Sequence, residues 1–126
     1  MTAANVVDSS GWLEYLADTD QAKHFAPAIE KADRLIVPVI CLYEVFKKVL
    51  REGGESEALE VANLMQLGQV VEIDSSLALE ASRYPLPMAD GLIYATAQRS
   101  GAILWTQDEH FSGLPGVRFF ARRAGK

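Results

Sequence analysis

A single cysteine, Cys41, rules out an internal disulfide; it fits a reducing compartment and a buried, inert thiol. No stretch approaches the roughly eighteen consecutive apolar residues that a membrane span needs. The opening MTAANVVDSS also lacks the basic flank and apolar stretch of a secretory signal. The expectation is a cytoplasmic protein with no membrane role. Positive charge is scarce as well, with 12 Lys and Arg against 17 Asp and Glu and a formal net charge of −5. Proteins that coat nucleic acid by broad electrostatics carry a basic surface, so that class is disfavoured. A nuclease is not, because metal-binding carboxylates add negative charge that bound cations offset locally. Internal repeats, low-complexity tracts and linkers rich in Pro, Gly and Ser are missing too. What is present is a chain of 126 residues, 49% of them hydrophobic, enough to fill one core. A single domain over residues 1–126 is expected.

The basic residues that do occur are unevenly placed. Lys47, Lys48 and Arg51 share one segment, and Arg118, Arg122, Arg123 and Lys126 lie near the end, so local basic patches are compatible with the net acidity.

Along the chain, short β-type runs alternate with helix-type segments. Residues 4–7 form a short run, apolar but for Asn5, that stops at Asp8-Ser9-Ser10-Gly11, turn and cap residues that precede the helical pattern of Trp12, Leu13 and Leu16. A helix is expected over about 21–31 and a strand over 35–37, with Pro38 suited to a first helical turn. Residues 40–51 carry apolar side chains at helical spacing, and Gly53-Gly54 ends the segment. A second amphipathic helix follows, with Leu59, Ala62 and Met65 as its apolar face and Val61 and Leu64 as further candidates; Gly68 lies just past its end. Strands over 70–73, 102–105 and 117–120 and helices over 77–83 and 88–99 complete the pattern. Alternating strands and helices with short connections predict an α/β fold, a three-layer α/β/α sandwich around a mainly parallel sheet. Ligands bind such sheets beyond the carboxyl ends of the strands.

Four acids fall at that edge. Asp8 follows the first strand directly, though an N-cap for the next helix explains it equally well on its own. Glu44 lies in the first turns of the helix after strand two, where a surface ion pair with Lys47 or Lys48 is the plain alternative. Asp90 opens the helix containing Ala89, Leu92, Ile93, Tyr94, Ala95 and Ala97; first-turn acids are common, yet so apolar a helix should not bury a carboxylate without a partner. Asp108 follows the fourth strand in Thr106-Gln107-Asp108-Glu109-His110-Phe111, where an Asx turn or cap is the alternative. Together they say more. Two unit charges about 5 Å apart repel by roughly 3 kcal/mol at an effective dielectric of about 20, so a cluster of four opposes folding. It persists with shared protons or with a bound hard cation such as Mg²⁺ or Mn²⁺, which prefers oxygen ligands.

Ser9 and Thr106 are supporting candidates for hydrogen bonds to a neighbouring acid or to bound water, with capping as the duller role. Glu109 is held in reserve as a ligand, and His24 and His110 are given no catalytic role. Trp12, Tyr15, Tyr43, Phe46, Tyr94, Trp105 and Phe111 are expected mostly in the core rather than on a base-stacking platform.

With these residues in view, the chain resembles the PIN-domain family, and within it the VapC-type toxins of toxin–antitoxin pairs. The resemblance spans nearly the whole chain through VVDSSGWLEYL, VPVICLYEVFKKVL, LPMADGLIYATAQRSGAILWTQDEHF and LPGV. The third block, with an acid opening an Ala-rich helix, a Gly-led strand and Thr-x-Asp, is the most specific. The family's four acids map onto Asp8, Glu44, Asp90 and Asp108, and its hydroxyl residues onto Ser9 and Thr106. Cys41 stands where a small hydroxyl residue is common, a departure that alters a supporting hydrogen bond and leaves the acids in place. The resemblance implies Mg²⁺- or Mn²⁺-dependent endoribonuclease activity acting as a toxin, a cognate antitoxin as inhibitor, and a homodimer. It makes Asp8 and Asp90 direct metal ligands, with Glu44 and Asp108 binding metal or orienting the attacking water.

Two rivals remain at this stage. A phosphoacceptor receiver of signalling systems wants adjacent acids after strand one and a lysine after a late strand, where this chain has Ser9-Ser10 and Thr106-Gln107-Asp108. A catalytically silent module of the same fold would bind a partner and cleave nothing.

Overall fold

The computed structural model describes residues 3–122, so Arg123 and Lys126 lie outside the described residues. Five short strands form one sheet in the order β3-β2-β1-β4-β5, with every neighbouring pair parallel. Strands β1 (Asn5–Val7) and β2 (Leu35–Pro38) are buried along their whole length and β4 (Ile103–Thr106) nearly so. They read as unbroken apolar runs because a parallel sheet is covered on both faces. The edge strands β3 (Gln69–Val71) and β5 (Val117–Phe119) are short and half-exposed.

Between β1 and β2 lie α1 (Ser9–Leu16) and α2 (Ala22–Ile29); between β2 and β3 lie α3 (Val39–Gly53) and α4 (Glu55–Met65). Helices α5 (Ser75–Ala81) and α6 (Met88–Arg99) connect β3 to β4. The chain moves one way across the sheet from β1 to β3 and then crosses back to β4. Right-handed crossovers therefore set α1–α4 against one face and α5–α6 against the other. This is the expected three-layer α/β/α architecture. A receiver of the flavodoxin-like class has strand order 2-1-3-4-5, so the order seen here removes that rival.

Three local expectations need correction. On α4 the buried face is Ala58, Val61 and Met65, whereas Leu59 and Leu64 point to solvent. The small Ala58, wholly buried, lets α4 lie close against α3, and Leu59 follows it about 100° further round the helix. Gly54 alone separates the two helices, at φ +89, a left-handed conformation that a side chain would strain. Strand β3 ends at Val71, so Ile73 is outside it and exposed. Among the aromatics expected inside, Trp12, Tyr94, Trp105 and Phe111 are buried, but Tyr43 is 57% exposed.

The direction in which the chain adds strands reverses between β1 and β4, the place where a crevice opens at the carboxyl edge of a doubly wound sheet. Asp8 and Asp108 stand just beyond those two strands.

Candidate active site

A cleft of about 490 Å³ opens at this edge and is lined by Asp8, Glu44, Asp90 and Asp108 together with residues of α1 and α3. Each acid arrives there for a local reason. Asp8 ends β1 and caps α1, its carboxylate accepting the Gly11 N–H at 2.8 Å. Gly11 has no room for a side chain, since a Cβ would meet the Phe25 ring at 2.7 Å, and this tight packing holds the capping turn in place. Ser10 Oγ lies 3.2 Å from both Asp8 oxygens, and Thr106 Oγ1 donates to Oδ2 at 2.6 Å. The plain reading of Asp8 as a cap and the functional one thus coexist. Burial pushes the Asp8 carboxyl up to about 6, with Asp108 adding to the rise, against the Thr106, Gly11 and Ser10 hydrogen bonds that favour the charged form.

Thr106 does double duty. It is fully buried at the end of β4, donates to Asp8, and accepts the Asp108 N–H at 2.9 Å, so one hydroxyl couples the two strand ends. Gln107 beside it is also buried. Its amide accepts from Gln21 Nε2 at 3.0 Å and donates to Glu14 Oε2 at 2.7 Å, tying the turn after β4 to the α1–α2 region. Nothing in the residue pattern singled out this Gln pair, because its partners lie far apart in the chain.

Glu44 accepts the Ser9 Oγ–H at 2.5 Å. Lys48 pairs with Glu52 and Lys47 donates to the Tyr43 hydroxyl, so the ion pair offered as the plain role of Glu44 is not what these lysines make. Cys41 is wholly buried one turn before Glu44, its thiol 3.8 Å from the Val7 carbonyl. Burial drives that thiol far upward against a Ser9 hydrogen bond, and Asp8, Glu44 and Asp90 add to the rise, so Cys41 stays a neutral, inert group.

Asp90 sits in the first turn of α6, a helix buried over Gly91 and residues 93–97. Burial, then Asp108 and Glu44, raises the Asp90 carboxyl above its ordinary range, while His110 works in the opposite direction. His110 Nδ1 lies 2.9 Å from Asp90 and 3.1 Å from Asp108. The expectation of no role for His110 missed this bridge. A short 3₁₀ turn, Glu109–Phe111, carries it, capped by Asp108 accepting the His110 N–H and anchored by the fully buried Phe111. The readable signal was Asp-x-His followed by a core aromatic. Glu109 faces solvent.

One oxygen or nitrogen from each of Asp90, Asp108 and His110 can be chosen so that all lie within 4.8 Å of one another, a spacing at which a cation can be shared. Asp8 borders the same cleft but already meets three donors. The two carboxylates are oxygen donors of the kind hard cations such as Mg²⁺ or Mn²⁺ take, whereas the imidazole is a donor better suited to softer transition metals.

A sequence model of the PIN domain matches residues 6–117. No curated protein matches the sequence. Among solved structures, a toxin–antitoxin complex from Klebsiella pneumoniae superposes with a TM-score of 0.77 at 21% identity, covering 94% of this chain and all (100%) of that one. A DNA-bound VapBC from Salmonella typhimurium gives 0.71 at 15% identity, covering 95% and 98%. A sarcin–ricin loop cleaving VapC toxin from Mycobacterium tuberculosis gives 0.71 at 18% identity, covering 95% and 99%. At such identities these structures speak for the fold, and the match over residues 6–117 speaks for the family: the chain belongs to the PIN domain family.

Proposed function

We propose that this chain is a Mg²⁺- or Mn²⁺-dependent endoribonuclease, the toxin of a toxin–antitoxin pair, working as a single PIN domain in the cytoplasm. The observation that carries the reading is the convergence of four carboxylates on one open cleft, with Asp8 and Asp90 held above the ordinary carboxylate range. Such a cluster opposes folding unless something positive occupies it. Asp90 and Asp108 would hold the cation, with Asp8 beside them and His110 either joining or giving way. When bound, a divalent cation supplies Lewis acidity toward the phosphate and an activated water for in-line displacement.

The remaining roles fall to the protein's own groups. Thr106 fixes the Asp8 carboxylate and, through the Asp108 N–H, the turn that aims Asp108. Ser9 orients Glu44 through one carboxylate oxygen, and the other would be left to steer water. No protein nucleophile is needed.

An antitoxin partner fits the surface beside the cleft. An apolar groove of about 580 Å³ runs along α3 and α4 through Leu42, Phe46, Leu50 and Ala62, and it shares Tyr43 and Lys47 with the acid cleft. A peptide seated there would reach the acids with a basic tail. The homodimer follows from the family resemblance.

Incubating the antitoxin-free protein with RNA tests the reading. Cleavage should require Mn²⁺ or Mg²⁺, stop in EDTA, and fall at least about a hundredfold in Asp8→Asn and Asp90→Asn, beyond the loss typical of supporting residues. Cleavage unchanged in excess chelator would contradict it, and folded parent protein that cleaves no RNA with metal would favour the silent module.

A further inference from the structure

The cleft carries charges of both signs. Beyond Glu44, the same side of α3 sends Lys47, Lys48 and Arg51 into the opening that the acids line. They stand three, four and seven residues beyond Glu44, hence on one helix face. The row covers about 6 Å of helix axis and ends roughly 10 Å beyond Glu44. Three of the 12 Lys and Arg residues of an acidic chain therefore border one cleft.

Their present commitments are weak. Lys48 pairs with Glu52 at 2.8 Å on an open surface, an arrangement of little energetic worth. Arg51 lies close enough to Glu52 to favour its charged form. Lys47 donates to the Tyr43 hydroxyl at 3.3 Å and lies 5.6 Å from the centre of the Tyr43 ring. Tyr43 itself is the large exposed aromatic at the junction of the acids and the basic row.

Resting on the reading of the cleft as a ribonuclease centre, we propose that Tyr43, Lys47, Lys48 and Arg51 form a track for single-stranded RNA. The three cations hold phosphates on one side of the scissile group, and the Tyr43 ring takes an unpaired base. A cation among the acids compensates the scissile phosphate alone. Its neighbours in the strand, passing an acidic floor, need counter-charges of their own, and α3 supplies them in a row. A basic antitoxin tail is repelled by this row and drawn to the acids instead, so the row is suited to a polyanion. An exposed aromatic beside cations binds single strands with little regard to sequence, and a duplex offers it no free base face.

Anisotropy of a short fluorescein-labelled RNA of mixed sequence, titrated with protein in EDTA across a salt series, tests the track. Each phosphate contact contributes about 0.7 to the salt slope for a single strand. Replacing Lys47, Lys48 and Arg51 together with Gln should flatten the slope by about 2, equally for all sequences. Arg51→Gln alone should remove about a third of that, which guards against misfolding of the triple variant. Lys23→Gln, beside a separate hollow on α2, should leave the slope unchanged. Tyr43→Ala should weaken binding roughly tenfold and Tyr43→Phe should not. Variants that melt like the parent and keep its salt slope overturn the proposal, as does equal affinity for a hairpin duplex. Loss of binding to an acidic peptide with RNA binding intact assigns the row to a protein partner and overturns it too. The measurement involves neither metal nor turnover. Failure of the nuclease reading shows separately, as cleavage that ignores chelator.

Discussion

Asp8 and the pair Asp90–Asp108 are carboxylates of one cleft, yet they are held in opposite ways. Asp8 is 3% exposed and enclosed by donors from fixed elements: the capped first turn of α1, Ser10, and Thr106 at the end of β4. Asp90 and Asp108 are more open and share one neighbour, the side chain of His110, itself 56% exposed. The first acid is built into the fold, and its cost is desolvation. The other two lie close together in a more accessible place, with the exposed His110 imidazole as their shared neighbour. On the proposed reading, the difference is the way a small domain would set up a cation site: one rigid acid as reference, and a pair whose repulsion an incoming cation would relieve.

The sharpest way to break this comparison is through Asp8 in metal-free protein. Its folded pKa is raised, from 3.8 to about 6, so the native state binds the proton more tightly than the unfolded chain does. The stabilisation from that proton is fully present below about pH 4 and is lost as pH rises through about 6. A shift of this size corresponds to about 3 kcal/mol as an upper figure. In EDTA, Asp8→Asn should therefore be more stable than the parent at pH 7, with the gap closing by pH 4 in denaturant titrations. A parent that is more stable at pH 7 than the variant would show that the donors outweigh burial.

A smaller effect is expected at Thr106. Thr106→Val keeps the shape but removes the hydroxyl that joins Asp8 to the Asp108 turn. Supporting residues of metal sites typically cost about 10–100-fold in metal affinity or activity when lost. A fall of that size in Mn²⁺ affinity is expected, and an affinity equal to the parent's would mean that Asp8 and Asp108 act independently. The smallest effect belongs to His110. In metal-free protein His110→Ala removes the contacts of one exposed imidazole with Asp90 and Asp108, worth about 1 kcal/mol where the imidazole is charged, so thermal melts in EDTA should move little. A large loss would show that His110, and not a cation, is the intended partner of Asp90.

The same contrast explains what was legible in the sequence. Asp8 and Asp108 could be placed because strand ends in a parallel α/β pattern fall at one edge, and Asp90 because its helix runs at the expected boundaries, 88–99. Partners set by the third dimension were not legible. Helical periodicity shows that α3 and α4 have apolar stripes but not how wide a stripe the neighbour covers, so Tyr43 and Leu59 were given to the core although both are exposed. The Gln21–Gln107–Glu14 chain joins residues 86 and 93 positions apart, beyond any local pattern. In the sequence His110 resembles any loop histidine, and the apolar Phe111 that anchors its turn reads equally well as ordinary core.

The central claim is that Asp90 and its neighbours form a cation site, and thermal melting of the parent and Asp90→Asn in EDTA and across a Mn²⁺ series tests it most directly. Without metal, Asp90→Asn should melt no lower than the parent, since it relieves repulsion from Asp108 and Glu44. A ligand at a hundred times its dissociation constant stabilises a folded state by about 2.7 kcal/mol, so Mn²⁺ should raise the parent's midpoint by several degrees and the variant's far less. Equal shifts in the two proteins, or none in either, would contradict the account even if RNA were cleaved.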